Sequence, residues 1–312
     1  MEYEIIDEVN NEFINYIDID SYNMEAIPYN VSISTMSLTC YLGTLFNIEN
    51  IYRYMILESD TIVALKSGKG IKCLDDYKPK FKSTTKNSKK NFFNQMTIII
   101  KIVDDKFLNI KLFKNGSIQI TGCKLLSDAN IGINKLITKL KEKLLLKITD
   151  TDMDNASDNA SDNALDKVSE TESDKVITFV EDVENLNVSK FKIDLINSNF
   201  GVNYLINKEL LFGLLTEKNV LCRLSSIHAC VNIKYKIRAI PDNMHTEDKP
   251  NYVSIFVFQT GNIIITGAKQ AIYVRDAYHY IVNFLNKNKD KIIKKDMGKM
   301  YDEYKDFIDS IE

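Results

Sequence analysis

Residues 113–124 read FKNGSIQITGCK, and residues 258–269 read FQTGNIIITGAK. At one constant offset Phe113 matches Phe258 and Gly116 matches Gly261. Ile118 and Ile120 match Ile263 and Ile265, and Thr121, Gly122 and Lys124 match Thr266, Gly267 and Lys269. In such an internal repeat each copy is one supersecondary unit. The chain reads as two similar halves. Within the first copy Ile118 and Ile120 take one face and Gln119 and Thr121 the other, the period of a half-buried antiparallel strand. KNG at 114–116 and QTG at 259–261 read as hairpin turns in which glycine supplies the positive φ.

Working outward, residues 31–40 alternate as a strand and 46–58 have helical spacing. Residues 66–93 are a basic, Ser/Thr/Asn-rich stretch that reads as a long loop. Strands follow at 96–102, 107–113 and 117–121. Ser127 then caps a helix with Ile133, Ile137, Leu140 and Leu144 on one stripe. The order returns with a strand at 191–197, a helix at 206–215, strands at 219–224, 229–237, 252–258 and 262–266, and a helix at 269–287. Each half reads as a strand, a helix, a run of strands and a second helix, an α+β plan with one helix-covered and one open sheet face.

Composition narrows the function classes. The chain has 312 residues, 45% hydrophobic and 27% charged, enough for a large core or two fused subdomains. No run of eighteen apolar residues predicts a membrane span, and the acidic first twenty residues lack a signal-peptide layout. Cys40, Cys73, Cys123, Cys222 and Cys230 are scattered with no CxxC, the pattern of reduced thiols in an intracellular protein. With three histidines and no clustered Asp/Glu site for two metals, neither a metal nor another cofactor is expected, and no enzymatic activity or small-molecule substrate. The net charge of −3 hides a partition. Residues 1–30 carry eight carboxylates and no Lys or Arg, and 150–174 is acidic and of low complexity. Residues 31–147 hold twenty Lys/Arg against nine Asp/Glu, a basic body compatible with a polyanion.

The open face would carry Gln119, Thr121, Ile264 and Thr266, with Phe113 and Phe256 or Phe258 near strand ends. Apolar and small polar side chains on a broad sheet, rimmed by lysines, suit the minor groove of duplex DNA. That groove offers few hydrogen-bonding groups and admits apolar wedges between base steps.

These residues, in this order and twice over, resemble the TATA-box-binding protein family. The resemblance spans roughly 30–147 and 188–290 and is closer in the second copy. STMSLTC at 34–40, FKI at 191–193 and YKPKF at 77–81 extend it beyond the repeated signature. It implies a ten-stranded antiparallel saddle of two pseudo-symmetric repeats, helices on its convex side and DNA in its concave side. The domains would be an acidic tail at 1–29, a first repeat at 30–147 with an expanded basic stirrup loop, an acidic linker at 148–187, a second repeat at 188–290, and a C-terminal tail or helix at 291–312.

Carried over by the resemblance, Phe113 and Phe258 are wedges, and Thr121, Thr266, Ile33 and Ile264 are groove contacts. Lys101, Lys124, Lys234 and Lys269 contact phosphate, which positions the protein without specifying sequence. The second stirrup wedge aligns with His228. In the first stirrup either Phe81 or Phe93 fits, and YKPKF favours Phe81. The chain departs from the family at several points. Val31 and Leu195 stand at the central asparagine positions, with Asn197 two residues on. Gln119 and Asn197 replace apolar contacts, and Ser117 and Asn262 replace the lysines after the turn glycines. The resemblance implies a general transcription factor that bends AT-rich promoter DNA and recruits a transcription factor IIB-like factor and RNA polymerase. The nucleus is the expected location or, for a viral protein, the cytoplasmic virus factory or virion. The alternative is an interaction module that keeps the fold and has lost most DNA affinity.

Overall fold

The computed structural model describes residues 2–5, 12–78, 94–147, 175–225, 230–238 and 252–294. They divide into two compact units, one of Met1–Asp18 with Leu38–Lys192 and one of Ile19–Ser37 with Ile193–Glu312. In chain order the elements begin with β1 (Glu2–Ile5), β2 (Ser32–Tyr41), α1 (Ile48–Tyr54), β3 (Ile62–Ser67), β4 (Gly70–Cys73) and β5 (Gln95–Val103). Next come β6 (Lys106–Phe113), β7 (Ser117–Cys123), α2 (Leu126–Lys141), β8 (Leu144–Lys147), β9 (Lys175–Ile177) and β10 (Ser189–Gly201). The series closes with α3 (Lys208–Glu217), β11 (Cys222–Leu224), β12 (Cys230–Lys236), β13 (Tyr252–Phe258), β14 (Asn262–Ala268), α4 (Ala271–Lys287) and α5 (Lys289–Ile292). The fold is α+β, built from two copies of one antiparallel plan.

In the first unit the strand order is β7-β6-β5-β3-β4, and β1, β8 and β9 form a separate three-stranded sheet. In the second it is β11-β12-β13-β14-β10. The repetition extends to backbone hydrogen bonds. Leu42 N–H donates to the Gly116 carbonyl at 2.9 Å, as Val202 N–H donates to that of Gly261 at 2.9 Å. Phe46 pairs with Val180 and Ile206 with Ile293 in isolated bridges. Asn47 caps α1 by accepting from Asn50 N–H, and Asn207 caps α3 by accepting from Leu210 N–H.

Each sheet has a covered face. Leu108, Ile110, Leu112, Ile118 and Ile120 are fully buried on the α2 side. Gly132 lets that helix approach closely, since a Cβ there would lie 2.7 Å from Leu108 Cδ1. Leu126, Ala129, Ile133, Leu136 and Leu140 form the opposing stripe. Val253, Ile255, Val257, Ile263 and Ile265 are buried in the same way in the second unit, where α4 contributes Ala271, Val274, Ala277, Ile281 and Leu285.

Three local expectations change. Part of the expected loop at 66–93 forms β4, which pairs with β3 as a hairpin, Ser67 to Gly70 and Ala64 to Cys73. β3 lacks period 2 because Ile62, Val63, Ala64 and Leu65 are all buried, so both of its faces are covered. The first helix is shorter than 46–58, ending at Tyr54, because Met55 turns extended and buries its side chain. Ser127 is not the cap of α2: Asp128 Oδ2 accepts the backbone N–H groups of Lys124 and Leu125, at 3.1 and 2.9 Å.

Part of the acidic N-terminal segment is fastened to helices. Ile14 N–H donates to Asn134 Oδ1 at 2.9 Å, Asn134 Nδ2 donates back to the Ile14 carbonyl at 2.8 Å, and Tyr16 N–H donates to Asn130 Oδ1 at 3.0 Å. In the second unit Asn30 Nδ2 donates to Tyr278 Oη at 2.8 Å. No helix among the described residues is long and apolar enough to cross a membrane.

On α2, Lys139 is 4% exposed and bonds both Glu58 and Glu142, the latter at 2.8 Å. Burial alone would lower its pKa, but the two carboxylate hydrogen bonds outweigh it and hold the ammonium above its usual 10.5. The stability this contributes is therefore full at neutral pH and is lost only as pH rises through that raised value. Lys139→Met strands a buried Glu142 and should cost about 3 kcal/mol in urea unfolding, while adding Glu142→Leu should recover most of it. A neutral single variant would refute this account. Gly261→Ala adds a Cβ 2.6 Å from the Tyr204 carbonyl at a φ of +86, and should lower stability by roughly 2 kcal/mol in the same assay.

Candidate nucleic-acid interface

The uncovered sheet face of each unit is built by strict alternation. In β6 the buried Leu108, Ile110 and Leu112 alternate with half-buried Asn109, Lys111 and Phe113. In β7, Gln119 and Thr121 alternate with buried Ile118 and Ile120. In β13, Ser254, Phe256 and Phe258 are the half-buried set, and in β14 Ile264 and Thr266. Phe113 and Phe258 each end a strand immediately before a turn, where the N–H of Gly116 or Gly261 donates back to the phenylalanine carbonyl.

Strand register sorts these side chains into lateral rows. In the second unit Asn232 faces Phe256, Phe256 faces Ile264, and Ile264 faces Asn199. The next row is Lys234, Ser254 and Thr266, in which Lys234 Nζ donates to Ser254 Oγ at 2.6 Å. The corresponding rows of the first unit are Thr97, Lys111, Gln119 and then Ile99, Asn109, Thr121. Directly opposed side chains lie within contact reach, so each row acts as one surface. The rows differ chemically: the second unit centres on the apolar pair Phe256–Ile264, the first on the polar pair Lys111–Gln119.

The remaining candidate residues fall as follows. Ile33 alternates with the buried Met36 and Leu38 of β2 and is half-buried. Asn197 lies at an irregularity in the β10–β14 register, between buried Ile196 and Ser198, and turns away from the core. Asn199, two residues on, accepts from Ser34 Oγ at 2.8 Å. Lys124 and Lys269 are exposed just beyond β7 and β14. Lys101 and Lys234 are not equivalent by register. Lys101 pairs with Phe107, and the counterpart pairing is Lys236 with Tyr252, while Lys234 takes the place of Ile99. Lys236, exposed on the same face, is the lysine that sequence reasoning missed, although its period-2 spacing from Lys234 marks it. Phe81, Phe93 and His228 lie outside the described residues.

The first unit covers one end of its own face. Val63, Ala64 and Ile99 form a small cluster separate from the main core, with Leu74, Tyr77 and Phe107 packed on it. The Tyr77 and Phe107 rings lie 5.1 Å apart. Leu74 N–H donates to the Val63 carbonyl at 3.1 Å and fixes the returning segment. Burial raises the pKa of four of the five thiols. Burial pushes Cys40 and Cys123 up to about 12, leaving Cys73 as the exposed cysteine. Among the described residues no group of three or more His, Cys, Asp or Glu side chains is arranged to hold a metal.

Over 281 residues the chain is 34% identical to a TATA-box-binding protein-like protein of Acanthamoeba polyphaga mimivirus, a span that covers 85% of this chain and 67% of that one. The chain belongs to the TATA-box-binding-protein-like family. No protein-family model matches it. The solved TBP of Methanococcus jannaschii is a further neighbour, with a TM-score of 0.43 and 17% identity over 84% of this chain and 99% of that one. Within the family frame, the open-face rows are where this chain's own chemistry departs from simple duplication.

Proposed function

We propose that this TATA-box-binding-protein-like chain is a transcription initiation factor that binds AT-rich duplex DNA through the minor groove, bends it, and recruits a transcription factor IIB-like factor and RNA polymerase. The observation that carries the reading is the pair of open faces, each ending in a phenylalanine at the same register position before the turn. Half-buried aromatic edges beside small hydroxyl and amide groups match a groove with few donors and acceptors. Wedge insertion between base steps is the behaviour for which TATA-box-binding proteins are the type case, and Phe113 and Phe258 are the wedges assigned to that role here. Lys124, Lys234, Lys236 and Lys269 rim the faces as phosphate contacts. The promoter complex forms in the nucleus or, for a virus, in its cytoplasmic factory.

A second reading, a protein-interaction module with little DNA affinity, draws on Ser117 and Asn262, which stand where the family resemblance implies lysines. Titration of end-labelled AT-rich and GC-rich duplexes over a salt series separates the two. The AT-rich duplex should bind more tightly, and Phe113→Ala/Phe258→Ala should weaken it by about tenfold or more. Lys269→Ala should weaken all duplexes alike and reduce the log–log salt slope by about one. A folded wild-type protein that binds neither duplex at low salt would leave only the interaction module.

A further inference from the structure

We infer that the two units tolerate different base pairs: the second requires A·T beneath it, and the first accepts G·C. This rests on the DNA-binding reading above. The observation is the chemical inequality of two positions that register makes equivalent. Lys111 and Gln119 face each other across β6 and β7. Phe256 and Ile264 face each other across β13 and β14 at the same places in the repeat. All four lie on the uncovered face and are half-buried. Neither Lys111 nor Gln119 makes a side-chain hydrogen bond in its own unit among the described residues. Both are available to an outside partner.

The minor groove presents acceptors at every base pair, and only G·C adds a donor, the guanine N2 amino group. Phe256 and Ile264 have no acceptor to offer. Beside them the Asn199 Oδ1 is turned to Ser34, and the Asn232 Oδ1, on the far side of Phe256, is shut off from solvent and has no hydrogen-bond partner. Pressed against this row in a water-excluded contact, the guanine amine loses its hydrogen bond to water and gains none. Gln119 differs, because its amide carries both a donor and an acceptor: it can take the guanine N–H or donate to an adenine or thymine acceptor. Lys111 donates to groove acceptors of any pair and carries a charge that the phosphates on both sides favour. The first row therefore discriminates little between pairs, and the second excludes guanine. A site with one G·C-containing half is bound in the single orientation that sets that half under Lys111 and Gln119. The inequality thus fixes the polarity of the complex.

Because the protein can choose its orientation, the test uses three duplexes: both halves A·T, one half carrying G·C pairs, and both halves carrying them. Wild-type protein should bind the first two within about threefold and the third about tenfold or more weakly. Lys111→Leu/Gln119→Ile should move that loss to the second duplex. Phe256→Lys/Ile264→Gln should relieve it on the third, and decides the matter if the first variant fails to fold. Two results overturn the inference while leaving DNA binding intact: a tenfold loss by wild type on the one-half duplex, or variants that keep the wild-type order. Failure of wild type to bind the all-A·T duplex overturns the DNA-binding reading itself, and the inference with it.

Discussion

Everything that distinguishes one sheet face from the other depends on where two turns are pinned. Gly116 and Gly261 both adopt a φ of +86, and the carbonyl of each accepts a hydrogen bond from the strand–helix connection, from Leu42 and Val202. Phe46 and Ile206 donate in the same way to Lys114 and Gln259. A side chain at either glycine would meet a carbonyl oxygen, of Thr44 in one unit and of Tyr204 in the other, so the turn and the connection exclude any slack. Strand side chains alternate with period 2, and a one-residue slip at such a turn would exchange the buried Ile110 and Ile255 for Lys111 and Phe256. The clamp keeps the apolar set under the helices and leaves Phe113 and Phe258 at the open edge.

A frame so tightly specified leaves the open face free to diverge. Positions under α2 and α4 are almost uniformly Ile, Leu, Val and Ala in both units, because volume and apolarity are what burial there demands. The opposite face has no such demand from folding. There Lys111 and Phe256, or Gln119 and Ile264, occupy equivalent places with different chemistry. Leaving Phe256 and Ile264 partly uncovered gains nothing for the fold, since an apolar row facing water is a liability unless something covers it. The open face of each unit is therefore where the two copies differ in chemistry.

Much of this was legible from the chain alone, for a physical reason. The glycine turns, the alternating strands and the amphipathic helices each obey a local rule, so β6, β7, β13, β14, α2 and α4 follow from spacing. β3 did not, because Ile62–Leu65 is buried on both faces and loses the period that marks a strand at a surface. The start of α2 differs because the helix already begins at Leu126, which places Ser127 inside the first turn, and Asp128 reaches back to accept the Lys124 and Leu125 N–H groups. Period-2 spacing from Lys234 puts Lys236 on the open face, but its equivalence to Lys101 is set by pairing with Tyr252 as Lys101 pairs with Phe107, which is a property of register.

The insertion in the first half bears on the same face. The interval from Asn47 to Phe113 is 15 residues longer than that from Asn207 to Phe258. It adds β4 outside β3, at the sheet margin, where it supplies strand pairing without disturbing the register of β5, β6 and β7. Loop-closure entropy grows slowly with length, so folding tolerates such an addition. Its consequence falls on one residue pair. Phe107 is closed over by Tyr77 and the Ile99 cluster, whereas Tyr252, at the equivalent place in the second unit, is 48% exposed. The open face of the first unit therefore ends at the row of Asn109 and Thr121, and that of the second runs one residue pair further, to Tyr252 and its partner Lys236. The half with the polar centre has the shorter face, and the half with the apolar centre has the longer one. Both differences act in the same direction, concentrating apolar contact area in the second unit.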